Sequence, residues 1–225
     1  MSRGQPRIRP FGDAAFLVEW PEAIEPALNR QVHALARLVR EARQSGSAWN
    51  EPVPAYASLL APFDPLRMDA QEAELGLRTL AASLGDEQTT ARDELPVLEI
   101  DVRYGGQDGP DLDEVARRTG LIPERVIELH SAGTYRAYFL GFSPGFAYLG
   151  TLAAELQLPR RDTPRQRVPA GSVAIAGVQT AVYPSSTPGG WHLIGRTDFQ
   201  TWDPERDPPA VIRPGQAVRF VPRRD

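Results

Sequence analysis

The chain has 225 residues, of which 41% are hydrophobic, and a formal net charge of −4, values typical of a soluble globular protein with one large or two small domains. Cysteine is absent and all 25 basic residues are Arg, which excludes disulfides, thiolate metal sites, Cys nucleophiles, Lys Schiff bases and a P-loop lysine. No basic surplus indicates nucleic acid binding, and the polar segment 1–10 is not an export signal, so we expect a cytoplasmic protein.

The first ninety residues predict alternating strands and helices. Phe11 to Trp20 contains β-branched and aromatic residues and predicts a strand. From Ile24 to Ala42, apolar residues recur every three or four positions, which predicts one face of a helix. Val53 to Phe63 predicts a second strand. Asp64 is expected to cap a second helix with Pro65 in its first turn, and the apolar side of that helix is expected to carry Leu75, Leu80 and Leu84.

A linker is predicted between two domains. The polar segment Glu87 to Asp93 is the best candidate for it, and Leu95 to Val102 predicts the next strand. We therefore expect an α+β domain at residues 1–90 and a second domain at residues 91–225.

The second domain is expected to change from helices to short strands. Asp111 is followed three residues later by Glu114, a capping pattern that opens a helix ending at Gly120. Pro123 starts another helix that reaches about His130. Beyond these helices, Gly and Pro separate short apolar runs, which indicates a mostly-β barrel or sandwich. The runs are Tyr135–Leu140, Val173–Ile175, Thr180–Tyr183, Val211–Ile212 and Ala217–Val221.

One stretch, Val168 to Gly195, contains no Asp, Glu, Lys or Arg, although 24% of the chain is charged. Gly, Pro and polar residues interrupt every apolar patch in it, so it does not resemble a membrane-spanning helix, which needs about 20 mainly apolar residues. We interpret it as short buried strands joined by turns, with polar side chains facing a pocket or a partner.

The segment Gly141-Phe142-Ser143-Pro144-Gly145 matches the G-x-S-x-G pattern of a nucleophile elbow. That elbow uses the backbone N–H after the serine, and Pro144 has none. We therefore favour a tight loop whose aromatic residues pack together or line a wall.

Among the three histidines, His192 is the candidate for proton transfer, because it follows the Gly189-Gly190 turn in uncharged surroundings. We interpret His33 as a surface residue and His130 as a cation near a helix C-terminus. No His pair has metal-ligand spacing, so a histidine metal site is not expected. A further set borders the neutral stretch and could grip a carboxylate or phosphate, namely Arg165, Arg167 and Arg196.

Several motifs in one order resemble the family of the 5-oxoprolinase B subunit, also called allophanate hydrolase subunit 1 or the Kip-type sporulation kinase inhibitor family. They are Tyr104-Gly105-Gly106, Gly109-Pro110-Asp111-Leu112, Gly141-Phe142, Pro144-Gly145-Phe146, Tyr148-Leu149, Pro164-Arg165, Val168-Pro169-Ala170-Gly171-Ser172-Val173, Gln179-Thr180, Tyr183-Pro184, Pro188-Gly189-Gly190-Trp191 and Ile194-Gly195-Arg196-Thr197. Gly12-Asp13 and Pro54-Ala55-Tyr56 followed by Ser58-Leu59-Leu60 fit the N-terminal domain of the same family, so the match covers most of the chain.

The resemblance implies an α+β N-terminal domain followed by a cyclophilin-like mostly-β barrel. It also implies assembly with the C and A subunits of 5-oxoprolinase into a complex that converts 5-oxo-L-proline to L-glutamate while hydrolysing ATP to ADP and phosphate, with Mg²⁺ expected at shared sites. Two alternatives stay open. The chain could be an inhibitor of a sensor histidine kinase, or a subunit in allophanate or urea metabolism.

For this activity we expect His192 and Arg196 to act in catalysis. The expected substrate-binding or nucleotide-binding residues include cations, orienting groups, backbone N–H donors and aromatic walls. They are Arg165, Arg167, Ser172, Gln179, Thr180, Gly189, Gly190, Phe142, Tyr148 and Trp191.

Overall fold

The computed structural model describes residues 6–21, 25–85 and 95–223. The chain divides into two compact units, Met1–Glu94 and Leu95–Asp225. The expected boundary between residues 90 and 91 and the expected linker, Glu87 to Asp93, lie outside the described residues.

The first unit is a four-stranded antiparallel sheet with two helices. The strands lie in the order β1-β2-β4-β3, and their bounds are β1 Arg7–Pro10, β2 Ala15–Glu19, β3 Val53–Pro54 and β4 Ser58–Pro62. Helix α1 is Pro26–Gln44 and helix α2 is Ala70–Ala82. One core cluster joins the sheet and both helices, with Val18, Leu35, Leu59 and Leu77 fully buried in it.

Three expectations for this unit were wrong in detail. The strand expected from Phe11 to Trp20 is the second arm of a hairpin, because Gly12 takes a left-handed conformation (φ +65°) and reverses the chain. Helix α2 begins five residues after Pro65, since Asp69 is its N-cap and accepts a hydrogen bond from the Glu72 N–H at 2.8 Å. Leu75 lies on the outer face of α2 and is 67% exposed.

The second unit is a closed barrel of seven strands in the order β10-β7-β6-β13-β5-β12-β9. The pair β13–β5 is parallel and the other pairs are antiparallel. The barrel strands are β5 Leu98–Tyr104, β6 Thr134–Leu140, β7 Ala147–Gly150, β9 Ser172–Ala176, β10 Gln179–Val182, β12 His192–Arg196 and β13 Ala217–Pro222. A separate two-stranded ribbon pairs β8, Arg165–Val168, with β11, Thr187–Gly189. The expectation of a mostly-β barrel is confirmed.

Two helices precede the barrel strands that follow residue 133. They are α3, Leu112–Thr119, and α4, Pro123–Ala132. Both contribute apolar residues to the main core cluster, which also takes in Ile100, Leu149 and Phe220 from the strands. The strand expected at Val211–Ile212 was wrong, because the chain there forms only one isolated bridge, between Trp202 and Ala210.

The absence of charge from Val168 to Gly195 has a structural reason. Along β9, Val173 and Ile175 face the main core cluster, whereas Ala174 and Ala176 belong to a second buried cluster that contains Phe146, Tyr183 and Trp191. Both faces of the strand are therefore covered, and a charged side chain on either face would lose its hydration. None of the helices in the described part of the chain combines the length and apolar character needed to cross a bilayer.

Candidate functional site

A buried carboxylate lies at the centre of the candidate site. Asp111 is 4% exposed, and its oxygens accept hydrogen bonds from Arg165 at 2.7 and 2.8 Å and from Arg161 at 2.8 Å. The backbone N–H of Leu193 donates a fourth bond at 2.7 Å. The contact of Arg165 is bidentate, a geometry that fixes the planes of both groups.

Asp111 occupies the N-cap position of α3, but its side chain caps no backbone N–H of that helix. The capping pattern read from Asp111 and Glu114 was therefore wrong in its mechanism. Burial is the largest single influence and raises the pKa of Asp111. The hydrogen bonds from Arg165 and the Leu193 amide, with the charges of both arginines, oppose it and hold the pKa below its ordinary value. The carboxylate is thus ionised at neutral pH.

The backbone brings the predicted glycines to these arginines. In the ribbon, Gly189 lies opposite Arg165, and the N–H of Arg161 donates to the carbonyl of Gly190 at 2.8 Å. A Cβ on Gly189 would lie 2.4 Å from the hydroxyl oxygen of Tyr183, so only glycine fits against that ring. The turn at Gly189 and Gly190 therefore lies beside both the arginines and an aromatic cluster.

The predicted proton-transfer residue, His192, adjoins the same centre. It immediately precedes Leu193, is 1% exposed, and its Nε2–H donates to the carbonyl of Pro159 at 2.9 Å. Because a carbonyl oxygen only accepts, Nε2 carries the hydrogen of this bond, and the other ring nitrogen is Nδ1. This atom is buried and has no partner among the described residues.

The aromatic cluster is formed by Phe139, Phe142, Phe146, Tyr148, Tyr183 and Trp191, with ring centroids between 4.5 and 6.4 Å apart. Phe142 is 61% exposed and takes a left-handed conformation with φ +65°, which is rare for a bulky residue. Burial raises the pKa of Tyr183 to about 12, partly opposed by the nearby Arg160 charge. The three predicted walls, Phe142, Tyr148 and Trp191, therefore lie together.

Five predicted site residues make other contacts. Arg167 donates to the Ser186 hydroxyl at 3.1 Å, and the Ser172 hydroxyl donates to the Pro169 carbonyl at 2.8 Å. Arg196 is exposed at the end of β12. Gln179 pairs with Ala176 and Gly150 in the barrel, and Thr180 is fully buried in it. Their assignment to the site stays a prediction.

Thr180 bonds to a histidine whose expected role was wrong. His130 is fully buried and not a helix-end cation. Its Nε2 lies 2.9 Å from Thr180 Oγ1 and its Nδ1 lies 2.7 Å from the Tyr104 hydroxyl. Burial lowers the pKa of His130 to about 3, so the ring is neutral and structural.

Two residues of the site, Asp111 and Arg161, were missed by the sequence analysis. Asp111 had a local explanation as a helix cap, and Arg161 lies in a polar segment without a recognisable motif. They are 50 positions apart in the sequence, so no local pattern reveals their contact. The only signal was the position of Asp111 inside one family-like motif.

No group of three or more His, Asp or Glu side chains lies close enough to hold a metal ion among residues 6–21, 25–85 and 95–223. The charged groups of the candidate site are accordingly two arginines and one carboxylate that is already saturated with hydrogen bonds. This donor set suits an anion, not a free Mg²⁺ ion.

This chain is similar to known proteins along most of its length. Residues 6–212 match the sequence model of the protein family described as the carboxyltransferase domain, subdomain C and D. A 5-oxoprolinase B subunit of Bacillus subtilis (strain 168) is 39% identical over 232 residues, covering 96% of this chain and 92% of that protein. A 5-oxoprolinase B subunit of Escherichia coli O157:H7 is 53% identical over 140 residues, covering 62% of this chain and 64% of that protein.

Solved structures share the fold. The crystal structure of TTHA0988 superposes with a TM-score of 0.80 at 39% identity, covering 97% of this chain and 41% of that one. PH0987 from Pyrococcus horikoshii gives a TM-score of 0.56 at 44% identity, covering 96% and 97%. Urea carboxylase of Kluyveromyces lactis, with a TM-score of 0.73 at 17% identity over 97% of this chain and 22% of that one, shows the fold alone. The similarity to the Bacillus subtilis protein along nearly the whole chain confirms the resemblance carried by the motifs, and the chain belongs to the 5-oxoprolinase B-subunit family.

Proposed function

We propose that this chain is the B subunit of an ATP-dependent 5-oxoprolinase, which opens the lactam of 5-oxo-L-proline to L-glutamate and hydrolyses ATP to ADP and phosphate. The observation that carries the proposal is the 39% identity to a 5-oxoprolinase B subunit over 96% of this chain. A protein named as one subunit implies partners, and we propose the A and C subunits. The chain is expected to be inactive alone.

The chemistry proposed for the complex suits a site built from arginines. An amide opens slowly, and phosphorylation of the lactam oxygen makes the ring carbon electrophilic and supplies a leaving group. Phosphoryl transfer needs positioning and neutralisation of negative charge, and arginine provides both without any lysine. We propose that the Gly189-Gly190 turn, where Gly189 pairs with Arg165, adds backbone N–H donors. No step is assigned to Mg²⁺ on this chain.

The geometry supports anion binding by Arg165 more directly than proton transfer by His192. The Arg165 side chain is 25% exposed, whereas both ring nitrogens of His192 are enclosed by the chain itself. For His192 to exchange a proton with substrate, the segment at Pro159 has to move, and contact with a partner subunit is the proposed cause. Arg196, exposed at the end of β12 and paired in register with Ser172, is proposed to contact substrate or a partner subunit.

The test is reconstitution. Purified chain is mixed with the A and C subunits, ATP and 5-oxo-L-proline, and release of glutamate and ADP is followed. We expect both products only when all three proteins are present. An unchanged rate after omission of this chain would reject the proposal. Allophanate offered in place of 5-oxo-L-proline is the control substrate, and its preferential turnover would assign the chain to the alternative reaction.

A further inference from the structure

The segment from Arg160 to Arg167 carries an unbalanced positive charge. It holds four arginines, Arg160, Arg161, Arg165 and Arg167, and one acid, Asp162; adding Asp111 gives four positive and two negative charges, a net charge of +2. Among the described residues, Asp111 is the only carboxylate that forms ion pairs with these arginines. By contrast, Arg103 contacts two carboxylates, Asp108 and Asp198.

The two arginines bound to Asp111 face outward from it. The carboxylate side chain is 5% exposed, whereas the side chains of Arg161 and Arg165 are 30% and 25% exposed. An incoming ligand therefore meets guanidinium groups, and the balancing negative charge lies behind them. Four hydrogen bonds occupy both oxygens of Asp111 and hold the carboxylate and the two arginines in one fixed arrangement.

Donors remain on this pair for a ligand. A guanidinium has five N–H groups, and only one hydrogen bond joins Arg161 to Asp111. Its Nε is buried and has no partner in the described part of the chain. Arg165 donates from two nitrogens to Asp111, so Arg161 uses fewer of its donors on this carboxylate than Arg165 does.

We propose that Arg161 and Arg165, positioned by the buried Asp111, bind a carboxylate or phosphate group as one anion site on this chain. The inference rests on the proposed function for the identity of the anion, which is either the carboxylate of 5-oxo-L-proline or a phosphate of ATP. Asp111 is a positioning residue, and Arg161 and Arg165 touch the ligand. The aromatic cluster adjoins the site through Tyr183, because the pKa of its hydroxyl, raised by burial, is partly lowered again by the charges of Arg160 and Arg165.

The experiment is calorimetric titration of the isolated full chain with inorganic phosphate, 5-oxo-L-proline and ATP in separate arms. Arg161→Gln is expected to weaken binding of the recognised anion about tenfold or more, because a charged donor is lost. Arg161→Lys should restore most of the affinity, since the charge remains. The matched control is Arg125→Gln, which removes the same charge from an exposed pair on α4 and should leave affinity unchanged. Arg165 keeps its bidentate bond in every variant, so thermal unfolding should stay close to wild type.

The arms separate the two sources of anion. Binding of 5-oxo-L-proline without binding of phosphate assigns the site to the substrate carboxylate, and binding of phosphate and ATP assigns it to the nucleotide. No binding of any probe at millimolar concentration, or equal weakening by Arg161→Gln and Arg125→Gln, overturns the inference. Reconstitution is a separate result, because glutamate release can require this chain even if its arginines bind no anion.

Discussion

Lowering the pH from 7 to 5 should destabilise the barrel unit through His130. The Thr180 hydroxyl donates to the Ala174 carbonyl at 3.1 Å, so its oxygen accepts from His130 Nε2–H. Nδ1 then accepts from the Tyr104 hydroxyl. Four residues therefore face the His130 ring, namely Thr180, Tyr104, Tyr135 and Phe220, whose ring stacks on it at 4.7 Å. Burial raises the pKa of both tyrosines. None of them carries a negative charge that would stabilise an imidazolium.

The magnitude follows from proton linkage. The pKa of His130 falls from 6.5 to about 3 on folding, so the unfolded chain takes up the proton first. The stability that the neutral ring contributes is complete above pH 6.5 and is lost as the pH falls toward 3. At pH 5 the loss is about 2 kcal/mol relative to pH 7. Carboxylates contribute little in this interval, because in unfolded chains they titrate near pH 4.

The assay is urea unfolding at both pH values. Trp20→Phe and Trp49→Phe confine tryptophan fluorescence to the barrel unit, where Trp191 and Trp202 lie. His130→Phe keeps an aromatic ring beside Phe220 and should lower stability at pH 7 while removing most of the change between pH 7 and pH 5. The control His33→Gln, in the first unit, should retain it. An equal loss of stability in His130→Phe and in the parent would refute the reasoning.

Four other substitutions have defined outcomes. Asp111→Ala should cost the barrel about 3 kcal/mol in urea unfolding, because two arginines lose their shared acid; a change below 1 kcal/mol would contradict that role. Gly195→Ala should cost about 2 kcal/mol, since its Cβ would lie 2.6 Å from Val102 Cγ1. Gly76→Ala is the opposite case, because the new Cβ inside α2 would meet only Trp49 Cζ2 at an ordinary 3.8 Å. This substitution should raise the free energy of unfolding by about 0.5–1 kcal/mol. Ser143→Ala should leave glutamate release in the reconstituted complex unchanged; a large loss would revive the nucleophile hypothesis.

Sequence patterns predicted the elements whose causes are local. The helix periodicity from Ile24 to Ala42 matches α1, and the Pro at the start of α4 marks its first turn. The short apolar run Tyr135–Leu140 matches β6 within one residue. In each case the signal depends on neighbours a few positions away, which is the range over which backbone hydrogen bonds and capping act.

Local patterns failed where a side chain has a partner far along the chain. Asp64 and Asp69 are both acceptable helix caps in sequence. In the structure Asp69 caps α2, and the helix buries Ala73 and Leu77 in the core of the first unit. The capping pattern at Asp111 is equally sound locally. Its carboxylate instead accepts charge-assisted hydrogen bonds from two arginines and one from a backbone N–H, which are stronger together than a bond to the helix end. These donors belong to residues between 161 and 193.

Composition and motif order alone determined that this protein has a β-rich second half, an arginine-only basic set and a place in one family. Only the tertiary structure decided which histidine is structural and which arginines share a buried acid. The reason is that periodicity and capping report short-range backbone order. Charge burial depends instead on which distant segments the closed barrel brings within about 3 Å of each other.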